Sequence, residues 1–346
     1  MKVIIGMFSG WLLFTLVACS QHADDQTIRL AGKTMGTSWH VTIARQKTDK
    51  PIKAAQLKSQ LENELAALNQ LFSTYIQGSE VSRFNASHET HPYEVSSDIA
   101  KVVQAAQRVS QQTSGAFDIT VAPLVDLWGF GKTLNFTVPD RAQIDRVRKQ
   151  VGFTHLQVQQ QPPRLTKNIP QLQIDLSAIA KGFAVDRLVK WLHTKGIHNY
   201  LVEIGGEVKV SGINPLGQRW QIAVEKPLSN TRTVQQILSL DSIAVATSGD
   251  YHNFFEQNGI RYSHTIDPRT GRPVRHQLAS VTVLHKSCML ADAYATAIMV
   301  MGEKKGLEFA RQHHLQVLLL VRKEQAGNDF DVVSTLSPEV SANANH

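Results

Sequence analysis

Asp292 and Thr296 stand four residues apart in the alanine-rich run Ala291-Asp292-Ala293-Tyr294-Ala295-Thr296. In a helix that spacing puts both on one face, a turn apart. A carboxylate and a hydroxyl so placed offer two hard oxygen ligands, suited to Mg²⁺ or Ca²⁺ rather than to zinc. The plain alternative is an aspartate that only complements a helix N-terminus. A second group is Asp175-Leu176-Ser177-Ala178-Ile179-Ala180-Lys181-Gly182. It reads as the end of a strand, a small-residue turn with Ser177 as cap, and a helix beginning near Ile179. Free N–H groups at a helix start favour an anion, and Lys181 in the first turn adds a full positive charge. A solvated lysine is the competing reading. Third is His264, just ahead of the turn Asp267-Pro268-Arg269-Thr270-Gly271. A histidine at a loop edge titrates near neutrality and can take a proton from a hydroxyl, with Asp250 or Asp267 as candidates to orient it. For any single one of the 14 histidines a structural role is the alternative.

Glycine-bearing stretches complete the set: Gly115-Ala116-Phe117-Asp118, Glu203-Ile204-Gly205-Gly206-Glu207 and Ala246-Thr247-Ser248-Gly249-Asp250-Tyr251. Glycines beside strands mark bulges or close backbone approach to a ligand. Neither the dinucleotide fingerprint GxGxxG nor the phosphate loop GxxxxGK[ST] occurs, and HExxH and CxxC are absent as well. His313-His314 fits a solvated helix end better than a metal site.

These residues need elements to hold them. Ile28 to Ile43 alternates around Lys33-Thr34-Met35-Gly36-Thr37 and reads as strand, turn, strand. Leu57, Leu61, Leu65, Leu68 and Phe72 form the stripe of a helix over 54–72. Ser96 or Ser97 caps a second helix whose apolar face holds Ile99, Val102, Val103, Ala106 and Val109. Pro123 limits any helix in 115–131, and Pro162-Pro163 mark a turn. Leu172 to Leu176 reads as a short strand before a helix that stops near Gly196. Strands are expected at 200–210, 220–224, 243–246, 280–284 and 315–321, and a helix over 289–301 that closes at Gly302. Strands and helices mix without strict alternation, which predicts an α+β fold with mixed, mainly antiparallel sheets and packed helices.

Composition bounds the rest. With 42% hydrophobic and 19% charged residues the 346-residue chain is ordinary globular material. A net charge of +7 favours anionic partners, but the basic residues are scattered rather than clustered, which argues against nucleic acid. Lys2, the apolar run Val3 to Ala18 and Leu16-Val17-Ala18-Cys19 have the form of a secretory signal ending in a sequence that resembles the bacterial lipobox, with Cys19 acylated. Cys288 is then left without a disulfide partner, as a small buried hydrophobe. The expected organisation is a signal peptide at 1–18, a lipidated tether at 19–27, one domain at 28–333 and a flexible tail at 334–346.

Taken in order, Lys33-Thr34-Met35-Gly36-Thr37, Phe72-Ser73-Thr74-Tyr75, Gly115-Ala116-Phe117-Asp118, the Asp175–Gly182 block, and the Gly-Gly-Glu, Ala-Thr-Ser-Gly, His-Thr-Ile-Asp-Pro and Ala-Asp-Ala-Tyr-Ala-Thr blocks resemble the ApbE family of FAD:protein FMN transferases from about Arg29 to Leu320, with no departure at the site positions named next. The resemblance implies FAD held between two lobes, in contact with Met35, Tyr75, Ala116, Phe117, Asp118, Asp175, Lys181 and Ile266. It implies Mg²⁺ on Asp292, Thr296 and the backbone oxygens of Ala178 and Ala295. It further implies a threonine or serine acceptor on a partner protein, typically a membrane redox subunit, and an envelope location facing the periplasm. His264 is the expected general base. FAD hydrolysis to FMN and AMP, or a lipoprotein that binds FAD without turnover, are the alternatives at this stage.

Overall fold

A computed structural model describes residues 27–46, 51–131, 136–228, 233–250, 254–323 and 329–341. The expected leader and Cys19 lie outside them. In chain order the elements are β1 (Thr27–Thr34), β2 (Thr37–Ala44), α1 (Ala54–Phe72), α2 (Glu80–Ala86), β3 (Tyr93–Glu94), α3 (Ser97–Gln112), α4 (Ala122–Leu127) and α5 (Arg141–Arg148). Then come β4 (Leu156–Gln160), β5 (Pro163–Lys167), α6 (Ser177–Thr194), β6 (Tyr200–Ile204), β7 (Glu207–Ser211), β8 (Trp220–Glu225), β9 (Val234–Leu240) and β10 (Ile243–Gly249). The chain continues through β11 (Phe254–Gln257), β12 (Ile260–Ser263), β13 (Ile266–Asp267), β14 (Arg272–Pro273) and β15 (Leu278–His285). It closes with α7 (Cys288–Met301), α8 (Glu303–Gln312), β16 (Gln316–Arg322), β17 (Phe330–Ser334) and α9 (Pro338–Ser341).

Eight strands form the central sheet in the order β1-β2-β6-β7-β10-β15-β16-β17, and every neighbouring pair is antiparallel. Alternate side chains of a strand point to opposite faces, so this sheet feeds two cores. Trp39, Val41, Ile43, Val202, Ile204, Val281, Val283, Val317 and Leu319 face the helices and build the main core with α1, α3, α6 and α7. Val210, Val245, Leu284 and Leu318 face the other way, under the β8–β9 hairpin with Trp220, Val224, Leu238 and Leu240. Both faces of β15 are therefore covered, which is why every residue of 278–284 is buried, Ser280 and Thr282 included. A third, smaller core joins α4, α5 and β12–β13 through Leu124, Trp128, Ile144, Tyr262 and Ile266.

The mainly antiparallel α+β architecture agrees with expectation, as do the β1–β2 hairpin and α1. Ser96 caps α3 by accepting the Ile99 N–H. Several local expectations change. Leu172–Leu176 joins no ladder; it is extended chain whose Asp175 N–H donates to the Ile119 carbonyl at 2.7 Å. Pro123 does not forbid a helix but starts one, because the first turn needs no N–H from it. α6 begins at Ser177 without a side-chain cap; Asp175 instead accepts the Ser177 N–H at 2.7 Å. Within the expected tail, residues 335–340 are attached: Thr335 bonds to Leu315 and Val317, and Leu336 and Val340 pack on the second core.

Candidate active site

The site is built where α6 crosses the start of α7. A Cβ on Gly182 would lie 2.3 Å from the Cys288 carbonyl oxygen and 2.8 Å from Met289 Cα, so glycine alone lets the two backbones meet. The crossing brings the Gly182 N–H to Asp292 Oδ2 at 3.1 Å and the Lys181 Nζ to Asp292 Oδ1 at 3.9 Å. Lys181 reaches further, to Glu207 Oε1 at 3.2 Å. Glu207 opens β7 after the turn Gly205-Gly206, both with positive φ (59° and 99°). A side chain at Gly205 would strike Thr37 at 2.6 Å and press on Lys181 Cδ at 3.3 Å.

This cluster is buried and short of positive charge. Asp292 and Glu207 are each 3% exposed, with one lysine between them. Burial raises both carboxyls, Glu207 to about 8, while Lys181 pulls each back toward ionisation. Burial works against the Lys181 ammonium, but the two carboxylates outweigh it and hold the amine protonated above its ordinary value. Glu207 Oε2 is buried with no hydrogen-bond partner among the described residues. Above this floor opens a cleft of about 1290 Å³ between the main core and the third core.

Most residues singled out by sequence line that cleft. Tyr75, Ala116, Phe117, Asp118, Asp175, Ala178, Lys181, His264, Ile266, Asp292 and Thr296 all do. Met35 occupies the β1–β2 turn with Gly36, both at positive φ (48° and 73°), and is half-buried against the main core; its neighbours Thr37 and Ser38 form the wall. Ala295 is fully buried on α7. The aromatic side chains differ in what they offer. Tyr75 is 77% exposed at the rim, whereas the Phe117 ring, 1% exposed, belongs to the core and gives a ligand no open face. Asp118 is turned to its own loop: it accepts the Thr120 N–H at 2.8 Å, the Thr120 hydroxyl at 2.7 Å and the Phe153 N–H at 2.8 Å. Burial raises its carboxyl, and those donors oppose the rise.

His264 sits on the cleft wall with its ring edge-on to Phe130, centroids 6.3 Å apart. Both aspartates considered for it are paired with arginine. Asp250 is held by Arg261 at 2.9 Å and by Arg322, and Asp267 by Arg269 at 2.8 Å. Cys288 is a free, fully buried thiol, pushed up by burial, and has no part in the chemistry. Sequence reasoning passed over two residues. Glu207 completes the charged floor, and its signal was a carboxylate directly after two glycines. Ser248 stands 3.3 Å from the Thr296 hydroxyl.

A hard divalent ion fits this donor set. Asp292 and Thr296 lie on one face of α7, two carboxyl groups share one ammonium, and one carboxyl oxygen has no partner among the described residues. Among the described residues no group of three or more His, Cys, Asp or Glu could hold a metal. Such an ion would therefore take much of its coordination from hydroxyl, carbonyl and ligand oxygens, as Mg²⁺ does.

A mainly antiparallel α+β fold with a lysine–carboxylate floor beneath a long cleft defines a class. Residues 35–319 match the ApbE family, and the chain belongs to that family. It is 43% identical over 324 residues to the FAD:protein FMN transferase of Vibrio cholerae serotype O1, covering 92% of this chain and 95% of that protein. It is 39% identical over 329 residues to the enzyme of the same name from Escherichia coli K12, covering 92% of each. Among solved structures, the flavin transferase ApbE from Vibrio cholerae superposes with a TM-score of 0.81 at 41% identity, over 90% of this chain and 98% of that one. The apo flavinyl transferase ApbE from Pseudomonas stutzeri gives 0.83 at 38% identity, over 93% and 98%.

Proposed function

We propose that this protein is an FAD:protein FMN transferase: it joins the FMN half of FAD to a hydroxyl of an acceptor protein and releases AMP. The observation that carries the reading is the Lys181–Asp292–Glu207 floor beneath a cleft of about 1290 Å³. That volume exceeds the roughly 300–1,000 Å³ of ordinary small-ligand pockets and leaves room for a dinucleotide.

The chain's own groups can do the work of this transfer. Lys181, on the cleft floor, would meet the diphosphate with its ammonium, and the positive end of the α6 dipole favours the same charge. Tyr75 offers an exposed ring to a flavin or adenine face, and Ile266 an apolar wall. The acceptor oxygen forms its bond to the phosphorus nearer riboflavin as that phosphorus parts from the oxygen bridging to AMP, which leaves with the bond electrons. His264 takes the hydroxyl proton, with Phe130 against its edge. Asp292, Thr296 and the carbonyls of Ala178 and Ala295 would hold Mg²⁺, which when bound neutralises diphosphate charge and supports the leaving group.

Two further elements of the reading concern place. Acylation at Cys19 would fix the protein to a membrane facing the periplasm. The acceptor would be a membrane redox subunit carrying a threonine or serine. Among the described residues no helix is long and apolar enough to cross a membrane. Radiolabelled palmitate incorporated by the wild type and not by Cys19→Ala supports the anchor; equal labelling removes it.

The test of activity mixes protein, FAD, Mg²⁺ and a flavinylation-domain acceptor, and follows flavin fluorescence on a denaturing gel. Fluorescence staying on the acceptor, with AMP released in equal amount, is expected. FMN and AMP appearing free in solution would make the protein a pyrophosphatase, and bound FAD with no AMP a storage protein.

A further inference from the structure

Beside the flavin cleft lies a second cavity of about 600 Å³. The two share Phe254, and along two stretches adjacent residues face different cavities: Gly249 and His264 line the cleft, Asp250 and Ser263 the second cavity. Its ionised lining among the described residues is lopsided, with Arg261, Arg275 and Arg322 against the carboxylate of Asp250. Arg261 and Arg322 both bind Asp250, at 2.9 and 3.0 Å, so one carboxylate answers two guanidiniums. Arg275 is exposed and rests over the Tyr262 ring at 5.7 Å, with no carboxylate partner among the described residues. His276 turns Nε2 to the Met299 carbonyl at 2.7 Å, while its buried Nδ1 has no partner among those residues. Apolar surface lies between the charges, with Phe254 37% and Ile260 44% exposed.

We propose that this cavity docks an acidic segment of the acceptor protein, the stretch of chain flanking the hydroxyl that enters the cleft at His264. The inference rests on the transferase reading, since chain flanking an acceptor hydroxyl at His264 would pass along the wall where Ser263 and His264 divide the two cavities. A small anion would answer charge alone and leave the Phe254–Ile260 surface uncovered. A peptide with carboxylates set around an apolar side chain would cover Arg275 and the exposed Phe254–Ile260 surface together. Charge complementarity of this kind governs encounter and register.

The test uses the whole protein and a fluorescein-labelled peptide in which aspartate pairs flank one leucine, read by anisotropy. Wild type binds it, and Arg275→Glu weakens binding about tenfold, in line with reversal of one interfacial charge. Ile260→Asp weakens it too, and Lys190→Glu on the exposed face of α6 serves as a control for general charge. No binding by wild type, or equal weakening by Arg275→Glu and Lys190→Glu, overturns the docking site. The gel assay runs in parallel on the same variants. Peptide binding that fails while acceptor flavinylation proceeds sinks the docking site alone. Intact peptide binding with no flavinylation sinks the transferase reading instead.

Discussion

Lys181, Asp292 and Glu207 carry one positive and two potential negative charges at the floor of the cleft, with both carboxyls 3% exposed. Their chemistry is a balance of solvation and pairing. Glu207 is the sensitive member. Its folded carboxyl holds a proton up to about 8, against 4.5 for the free group. Between those values the folded state binds more protons than the unfolded one, so this group's stabilisation is full below 4.5 and is lost as pH rises through about 8. Glu207→Gln removes the dependence. Urea unfolding of both proteins without metal should show the variant gaining on wild type across that window, and a constant gap would refute the assignment. For Asp292→Ala the expectation is a retained circular-dichroism spectrum with Mg²⁺-dependent flavinylation abolished; wild-type rate would remove Asp292 from the metal site. His264→Ala should slow transfer by roughly 10²–10⁴-fold with FAD affinity little changed. An equal loss in both would make His264 a binding residue. At this scale the sequence was informative about which residue types met. It was silent on Asp250 and Asp267 being taken up by arginines distant or adjacent in the chain.

Elements place these groups through a few close contacts. The α6–α7 crossing depends on Gly182, where any Cβ would have to displace backbone of the partner helix. Gly182→Ala should therefore cost about 1–3 kcal/mol, as overpacking does, and separate Lys181 from Asp292. Thermal unfolding and FAD affinity should both fall; an unchanged melting temperature would mean the helices can slide apart freely. A second tie is Lys167 on β5, 1% exposed and without a carboxylate. It donates to the carbonyls of Phe84, Ser87 and Leu172 at 3.3, 2.6 and 2.9 Å, fastening α2 and the segment that leads to Asp175. Burial lowers its pKa, as expected of a cation met, among the described residues, by carbonyls and the Phe84 ring rather than by a carboxylate. Lys167→Met strands those carbonyls and should lower stability on the order of 3 kcal/mol, visible as a shifted urea midpoint. Helical stripes such as Leu57 to Phe72 were legible because their period is local. Leu172–Leu176 misled because an apolar run says it is buried, not that a strand lies beside it to pair with.

Over the whole molecule, the cleft lies between the main core and the small third core, which carries Ile266 and neighbours His264. A ligand spanning both should hold them together. FAD with Mg²⁺ is expected to raise the melting temperature more than either alone, by about 2.7 kcal/mol of stability at a hundredfold excess over Kd. Asp292→Ala should erase the Mg²⁺ increment; its persistence would place the ion elsewhere. The amino-acid sequence by itself determined the α+β class, the β1–β2 hairpin with its positive-φ turn, the helices α1, α6 and α7, and the pairing of Asp292 with Thr296. All of these follow from patterns within a dozen or so residues. The tertiary structure alone decided that Glu207 closes on Lys181, that Phe117 turns its ring into the core, that Asp118 serves its own loop and that a cationic cavity adjoins His264. Lys181 and Glu207 lie 26 residues apart, Asp118 and Phe153 35, and Gly182 and Asp292 110, and contacts set by how distant segments pack leave no period in the chain to read.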